Sequence, residues 1–141
     1  MNTNLDATRL TEWLTPLNPL PLNCGELTFA LVMLLDAEDI PHRHYVGSLE
    51  LRDVGTNLFH YWIELEGGLT IDFRARTELG PSAPHGVFRP TAAQRYAPRR
   101  LVTDRLDNDY FDIMTKRRLA DYPRYRALAN IPVDQASNAD G

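Results

Sequence analysis

Residues 23–35 read NCGELTFALVMLL and contain the only cysteine of the chain, Cys24. The run from residue 27 to residue 35 is apolar at nearly every position, so a helix formed here must lie in the core rather than on the surface. Asn23, followed three residues later by Glu26, is a variant of the capping box and predicts that this helix begins at Cys24. In the first turn of a helix, unpaired N–H groups and the positive end of the helix dipole favour a thiolate. The sequence therefore predicts a central helix with a thiol at its N-terminal end.

Downstream of this helix, residues 57–66 and 69–74 are typical of two antiparallel strands joined by a glycine turn. Successive side chains of a strand point to opposite faces of a sheet. One face of this hairpin is therefore predicted to be apolar, formed by Phe59, Tyr61, Ile63, Leu65, Leu69, Ile71 and Phe73. The opposite face is predicted to carry His60, Trp62 and Asp72.

The length of the turn decides how these polar residues meet. The two apolar faces coincide if the strands are joined by three residues, Glu66–Gly68, with glycine in the left-handed conformation. This register pairs Trp62 with Asp72 and leaves His60 as the diagonal neighbour of Asp72 on the same face. A contact between the His60 imidazole and the Asp72 carboxylate is therefore expected.

Cys24, His60 and Asp72 occur in the order and setting of a thiol nucleophile, its base and the group that orients the base. A lone cysteine at the start of a buried helix is more often an inert apolar residue, so the catalytic interpretation depends on the other two residues. Trp62 is expected to pack beside this site. His42 and His44, with Cys24 or His60, offer an alternative as zinc ligands, but no C-x-x-C or H-x-x-x-H motif accompanies them, and no metal is expected.

Four segments together resemble the core of the transglutaminase-like branch of the papain-type thiol superfamily. They are NCG at residues 23–25, IPHR at 40–43, HYWIE at 60–64 and LTIDF at 69–73, and the resemblance covers about residues 22–74. It implies an α+β fold, with a papain/transglutaminase-like core in which a central N-terminal helix packs on a small antiparallel β-sheet. It also implies Cys24 as nucleophile, His60 as general base and acid, and Asp72 as orienter of the imidazole.

Asn18 lies six residues before Cys24, a spacing at which enzymes of the papain type place a side-chain amide in the oxyanion hole. The alternative is that this asparagine, which lies between prolines, is only a turn residue. The Gly25-Glu26 pair departs from the family pattern and brings a carboxylate near the thiol. The N-terminal end of the helix outweighs that charge if Glu26 folds back to cap Asn23.

The rest of the chain gives weaker signals. Residues 6–15 are predicted to form an amphipathic helix that ends at Pro16, and residues 43–51 a strand. Predictions for the other segments are an extended approach to Cys24 over residues 16–22, a loop over 77–100 with a short helical turn near Ala92, an exposed His85, a helix over 106–119, a second short helix from Pro123, and a frayed tail at the end.

Length and composition suit one globular domain over residues 1–133, with residues 134–141 as a disordered tail. No apolar run reaches the ~20 residues of a membrane span, and the N-terminus lacks the pattern of a secretory signal. We therefore expect a soluble, cytoplasmic protein, which agrees with a single cysteine and no internal disulfide.

Charge is unevenly distributed along the chain. Residues 1–73 carry three basic and eleven acidic side chains, whereas residues 74–126 carry twelve basic and six acidic ones. The arginines of the second half can receive an acidic partner, or can simply pair with the acidic half of the same molecule. No nucleic-acid-binding motif is present, and the sequence pI of about 5.5 gives no support for that function.

These observations predict a cysteine-dependent acyl-transfer enzyme that acts on a carboxamide or peptide bond through a thioester and needs no cofactor. A protease or amidase is favoured because water is the default acceptor. One alternative is a catalytically silent transglutaminase-like module that binds an acidic partner with its arginines. Another is an effector of the transglutaminase or deamidase type that modifies protein glutamine. In each case the partner is a protein or peptide, and the sequence leaves the oligomeric state open.

Overall fold

The computed structural model describes residues 5–129, which form an α+β fold with one five-stranded antiparallel sheet. The helices of this part of the chain are α1 (Ala7–Leu14), α2 (Cys24–Ala37), α3 (Ala75–Leu79), α4 (Tyr110–Thr115) and α5 (Tyr125–Ala129). The strands are β1 (His42–Leu51), β2 (Gly55–Leu65), β3 (Thr70–Asp72), β4 (Gly86–Phe88) and β5 (Gln94–Leu101). Among the described helices, none has the length and apolar character needed to cross a membrane.

The helix α2 begins where the sequence predicts. The Asn23 side chain accepts from the backbone N–H of Glu26 at 2.8 Å, and the Glu26 carboxylate accepts from the backbone N–H of Asn23 at 2.9 Å. This reciprocal capping box turns the Glu26 charge back onto the helix end. The helix buries Leu27, Thr28, Ala30, Leu31, Leu34 and Leu35, which confirms its place in the core.

The strands are ordered β4-β3-β2-β1-β5, and each neighbouring pair is antiparallel. One face of the sheet packs with α1 and α2 in the main core, to which the hairpin contributes Ile63, Leu65, Leu69, Ile71 and Phe73. The other face carries His60, Trp62 and Asp72. The sheet curls around this second face, so that Phe88 in β4 and Tyr96 in β5 approach to 6.2 Å between ring centroids. The polar residues of the hairpin therefore lie on the concave face of the sheet, between its two edge strands.

The predicted hairpin register is confirmed. Ile63 is paired with Ile71, and the backbone N–H of Leu65 donates to the carbonyl of Leu69 at 2.8 Å. Between these strands, the three residues Glu66–Gly68 form the turn, in which Gly67 has φ 80°, a conformation that favours glycine. The same register places Trp62 opposite Asp72.

The loop predicted for residues 77–100 is wrong, because this stretch contains the end of α3 together with β4 and β5. In β5 only Tyr96 packs inward among otherwise polar or exposed neighbours, so the strand lacks the apolar alternation that identifies strands in a sequence. Pro98 is tolerated in β5 because this strand lies at the edge of the sheet.

Other boundaries also differ from prediction. Residues 15–17 form a 3₁₀ turn in place of an extended segment, since Pro16 fits the first turn of a helix as well as an extended chain. The helix predicted over residues 106–119 is limited to α4, because Lys116 adopts a left-handed conformation that ends it. The second short helix begins at Tyr125, two residues after Pro123. The predicted tail, residues 134–141, lies outside the described residues.

Candidate active site

His60 and Asp72 form a buried pair on neighbouring strands. The Nε2 atom of His60 lies 2.7 Å from the Oδ2 atom of Asp72, and the two residues are 0% and 3% exposed. The contact follows from the hairpin register, which places the two side chains diagonally on one face. Because a carboxylate only accepts, Nε2 carries the proton of this hydrogen bond.

The Asp72 carboxylate accepts three further hydrogen bonds. Its Oδ1 atom accepts from the backbone N–H groups of Arg74 and Ala75 at 2.9 and 3.0 Å, at the start of α3. Its Oδ2 atom also accepts from the Tyr96 hydroxyl at 2.8 Å. These four donors hold the Asp72 carboxylate in one orientation. Tyr96 gave no signal in the sequence, because its segment has no strand pattern.

Cys24 lies half-buried in the first turn of α2, in a cleft of about 600 Å³ that Asn18, Phe73, Arg74 and His85 also line. The Cys24 thiol lies near enough to the His60 imidazole to change the pKa of the ring. Burial lowers the pKa of His60, but the hydrogen-bonded Asp72 carboxylate and the nearby Cys24 thiol outweigh burial and raise the pKa to about 9. The structure therefore brings Cys24, His60 and Asp72 together.

Arg74 fixes the segment that precedes Cys24. Its Nε atom donates to the Leu22 carbonyl at 2.7 Å, and its Nη2 atom donates to the carbonyls of Asn18 and Leu20 at 3.1 and 3.0 Å. Its Nη1 atom donates to the Phe73 carbonyl and, at 2.9 Å, to the Asn18 Oδ1 atom. The sequence indicates for Arg74 only a place in a basic region, since these carbonyl partners come from a distant segment.

The bond from Arg74 also determines how the Asn18 amide is oriented. A guanidinium has donors and no acceptor, so the Asn18 oxygen faces Arg74 and its NH₂ group is left to donate elsewhere. Asn18 lines the same cleft as Cys24. The Asn18 amide therefore belongs to the lining of the cleft that contains Cys24, and its role in an oxyanion hole stays a prediction.

The structure places Trp62 fully buried beside His60, with the two rings stacked at 6.4 Å between centroids. The Trp62 indole N–H donates to the Glu64 carboxylate at 3.2 Å. Its ring also packs edge-on against Tyr96 at 5.1 Å. Trp62 thus forms one wall of the pocket around the imidazole.

The remaining histidines occupy different surroundings. His42 donates from Nδ1 to the Ile40 carbonyl, while His44 is buried against Phe29 at 4.8 Å between ring centroids. Within residues 5–129, no three His, Cys, Asp or Glu side chains are grouped so that they could hold a metal ion. His85, predicted to be exposed, is half-buried edge-on against Phe73 at 5.1 Å, because β4 holds the chain against the cleft.

Asn57 is a further residue at the site that sequence analysis missed. Its side-chain amide nitrogen lies 3.0 Å from the Nδ1 atom of His60. Strict alternation along β2 would place Asn57 and His60 on opposite faces, since they are three residues apart. A break in the alternation is needed to bring them together, and the sequence does not reveal it.

Comparison of the chain with protein-family models, with curated proteins and with solved structures found no match in any of the three.

Proposed function

We propose that this protein is a cysteine-dependent acyl-transfer enzyme with a papain/transglutaminase-like core, acting on a carboxamide or peptide bond through a thioester. The observation that supports the proposal most strongly is the buried His60–Asp72 pair, with Nε2 and Oδ2 at 2.7 Å, next to a thiol at the N-terminal end of a helix. A histidine oriented by a carboxylate and able to exchange a proton with a thiol is the arrangement that nucleophilic thiol catalysis requires.

Each residue has a role in the proposed reaction. The Cys24 sulfur attacks the substrate carbonyl carbon, with its proton taken up by His60. The resulting oxyanion accepts hydrogen bonds from the backbone N–H of Cys24 and from the Asn18 amide. His60 then gives its proton to the departing amine as the C–N bond breaks, which leaves a thioester on Cys24. Water, or a second amine, attacks the thioester while His60 takes up the proton of the attacking group.

Asp72 keeps the imidazole in place during these steps. Its hydrogen bond fixes the proton on Nε2, so that Nδ1 is the nitrogen left to exchange a proton with Cys24. Its negative charge stabilises the imidazolium that forms when the thiol is deprotonated. We propose a protein or peptide as the substrate, and hydrolysis as the outcome where water is the acceptor.

The reactivity of Cys24 tests this function. We expect iodoacetamide at pH 6 to alkylate Cys24 in the folded protein much faster than in the urea-unfolded protein, where the thiol has a pKa near 8.5 and is mostly protonated. The His60→Ala variant should react at the slow rate, because it lacks the partner of the thiolate. A screen of peptide and carboxamide substrates, with Cys24→Ala as the control, then identifies the reaction.

Two outcomes would contradict the proposal. If Cys24 in the folded protein reacts at pH 6 no faster than in the unfolded chain, the thiol is not activated. If Cys24 is activated but no substrate of a broad library is turned over, the silent binding module becomes the better interpretation.

A further inference from the structure

The strand β2 contains a β-bulge at the site. In the pairing of β1 with β2, Gly47 is opposite His60 and Leu49 is opposite Asn57. An interval of two residues in β1 therefore pairs with an interval of three residues in β2. Leu58 and Phe59 together occupy the position that one residue would take in a regular pairing. An extra residue reverses the alternation of side chains beyond it. The bulge thus brings Asn57 onto the same face as His60.

Hydrogen bonds hold the bulge in this shape. The Arg99 guanidinium in β5 donates to the Leu58 carbonyl at 2.8 Å. The backbone N–H of Phe59 donates to the Asn57 Oδ1 atom at 3.1 Å. The side chains of Leu58 and Phe59 are 69% and 61% exposed, so packing of these side chains does not account for the bulge. Its structural consequence inside the sheet is the placement of Asn57.

The orientation of the Asn57 amide follows from its partners. A backbone N–H can only donate, so the atom that faces Phe59 is the amide oxygen and the atom that faces His60 is the NH₂ group. The Asn57 NH₂ group therefore donates to the Nδ1 atom of His60 at 3.0 Å. Since Nδ1 accepts and Nε2 donates to Asp72, the ring in this arrangement is neutral and carries its proton on Nε2.

This hydrogen bond competes with the proton transfer that the proposed function requires. Nε2 is engaged by Asp72, so Nδ1 is the nitrogen that would receive the proton of Cys24. A proton on Nδ1 would face the NH₂ group of Asn57, and two donors repel each other. If the Asn57 side-chain amide rotated by half a turn to present its oxygen to Nδ1, it would lose the hydrogen bond that it accepts from the Phe59 N–H.

We propose that Asn57 is a positioning residue that favours the neutral, Nε2-protonated imidazole of His60 over the imidazolium and thereby restrains formation of the thiolate–imidazolium pair with Cys24. The effect on Cys24 rests on the proposed function, whereas the effect on the His60 ring does not. In the resting protein Asn57 lowers the fraction of the ion pair, while the groups that raise the pKa of His60 still allow the pair to form. Formation of the ion pair requires Asn57 to move away from Nδ1.

The charged and titratable groups around the ring come from four elements. Asp72 at the end of β3 and Cys24 at the start of α2 raise the pKa of His60 against the effect of burial. Tyr96 in β5 influences the His60 ring through its hydrogen bond to Asp72. Burial of Tyr96 and the charge of Asp72 raise the pKa of the Tyr96 phenol. Arg74, before α3, lies within electrostatic range of both Cys24 and Asp72. Asn57 opposes the groups that stabilise the imidazolium.

The pKa of His60, measured by NMR titration of the imidazole in Cys24→Ala protein, tests the role of Asn57 without the thiol. Asn57→Ala removes the donor to the neutral ring and should raise this pKa by about one unit. Asn57→Asp keeps an acceptor for the Phe59 N–H, so it preserves the bulge, and it places a carboxylate at Nδ1. The pKa should then rise by about one to three units.

Leu58→Ala is the matched control, since it changes an exposed side chain of the same bulge and should leave the His60 pKa unchanged. With Cys24 restored, the Asn57→Ala variant should be alkylated at pH 6 faster than the wild type, because the competing state with a neutral imidazole is less stable. The proposal is overturned if Asn57→Ala and Asn57→Asp both leave the His60 pKa unchanged or lower it. A raised His60 pKa together with an unreactive Cys24 would support the role of Asn57 at the ring and reject the proposed thiol chemistry.

Discussion

The hydroxyl of Tyr96 in the edge strand β5 donates to the Oδ2 atom of Asp72 at 2.8 Å, on the same oxygen that faces His60. The two residues are separated by β2 and β1 in the order of the sheet, and they meet because the sheet curls around its inner face. Burial and the Asp72 charge raise the pKa of the Tyr96 phenol far above its ordinary value, so the hydroxyl remains a donor at all physiological pH values. The orientation of Asp72 therefore depends on a strand at the far edge of the sheet.

Tyr96→Phe should destabilise the protein through this bond alone. The phenylalanine ring can keep the packing against Trp62, but the buried carboxylate loses one of its four donors. A hydrogen bond to a charged group contributes roughly 1.5–3 kcal/mol, and we expect the free energy of unfolding in urea at pH 7 to fall by about that amount. Tyr45→Phe is the matched control, because Tyr45 also packs near Trp62 but does not contact Asp72. Equal stability of the two variants would show that the bond to Asp72 contributes nothing.

The sequence predicts the helix end and the hairpin well, because local rules determine both. Asn23 and Glu26 form a cap across three residues, and the apolar alternation of the hairpin permits one turn length. Local rules do not predict Tyr96 or Arg74, since their partners lie in distant segments of the chain.

Asn57 escapes prediction for a different reason. Period-two alternation assumes that each strand residue has one partner, and the bulge at Leu58 and Phe59 breaks this assumption. Phe59 consequently has an exposed side chain in place of the predicted apolar contact. The sequence thus indicates which residues form the proposed triad, but it does not indicate which residues adjust their ionisation.

Gly47 lies in β1 opposite His60, where the backbone of β5 approaches so closely that it leaves no room for a side chain. A Cβ atom at Gly47 would lie 2.1 Å from the Ala97 carbonyl oxygen and 2.8 Å from the Arg99 nitrogen. Both are backbone atoms and cannot move without separating β5 from β1. Gly47→Ala should therefore lower the free energy of unfolding by about 1–3 kcal/mol or more, as measured in urea. Ser48→Ala, in the next position of β1, is the control and should have a small effect; a stable Gly47→Ala variant would contradict the observed packing of β5.

His44 should make the protein sensitive to acid. Burial, and after it the charge of His42, lowers the pKa of His44 to about 4, whereas in the unfolded chain it titrates near 6.5. As the pH falls from about 6.5 to about 4, the unfolded state binds a proton that the folded state does not, so stability is lost over this interval. This difference corresponds to about 3 kcal/mol at most.

His44→Phe removes the titrating group and keeps an aromatic ring against Phe29. We expect the loss of unfolding free energy between pH 7 and pH 4.5 to be smaller in this variant than in the wild type. His42→Gln should retain most of the wild-type loss, because burial is the larger cause of the shift. The same pH dependence in His44→Phe and wild type would show that other groups are responsible.

Arg74→Lys separates two effects of Arg74: its positive charge near Cys24, and the hydrogen bonds by which it fixes the segment before Cys24. Lysine keeps the positive charge near Cys24 and Asp72 but cannot reproduce the planar fork that reaches Asn18, Leu20, Leu22 and Phe73. The free energy of unfolding should fall by about 1–3 kcal/mol, since several partly buried backbone carbonyls lose their donor. Alkylation of Cys24 at pH 6 should change little, because the thiol keeps its helix end, His60 and a nearby cation. Turnover of a substrate found in the screen should nevertheless fall at least tenfold, since the Asn18 amide is no longer held.

Asn18→Ala provides the comparison: it removes the proposed oxyanion donor and should lower kcat by about 10²–10³ with a smaller loss of stability. If Asn18→Ala leaves kcat unchanged while Arg74→Lys lowers the stability, Asn18 is a turn residue and the oxyanion depends on the Cys24 backbone N–H and another donor.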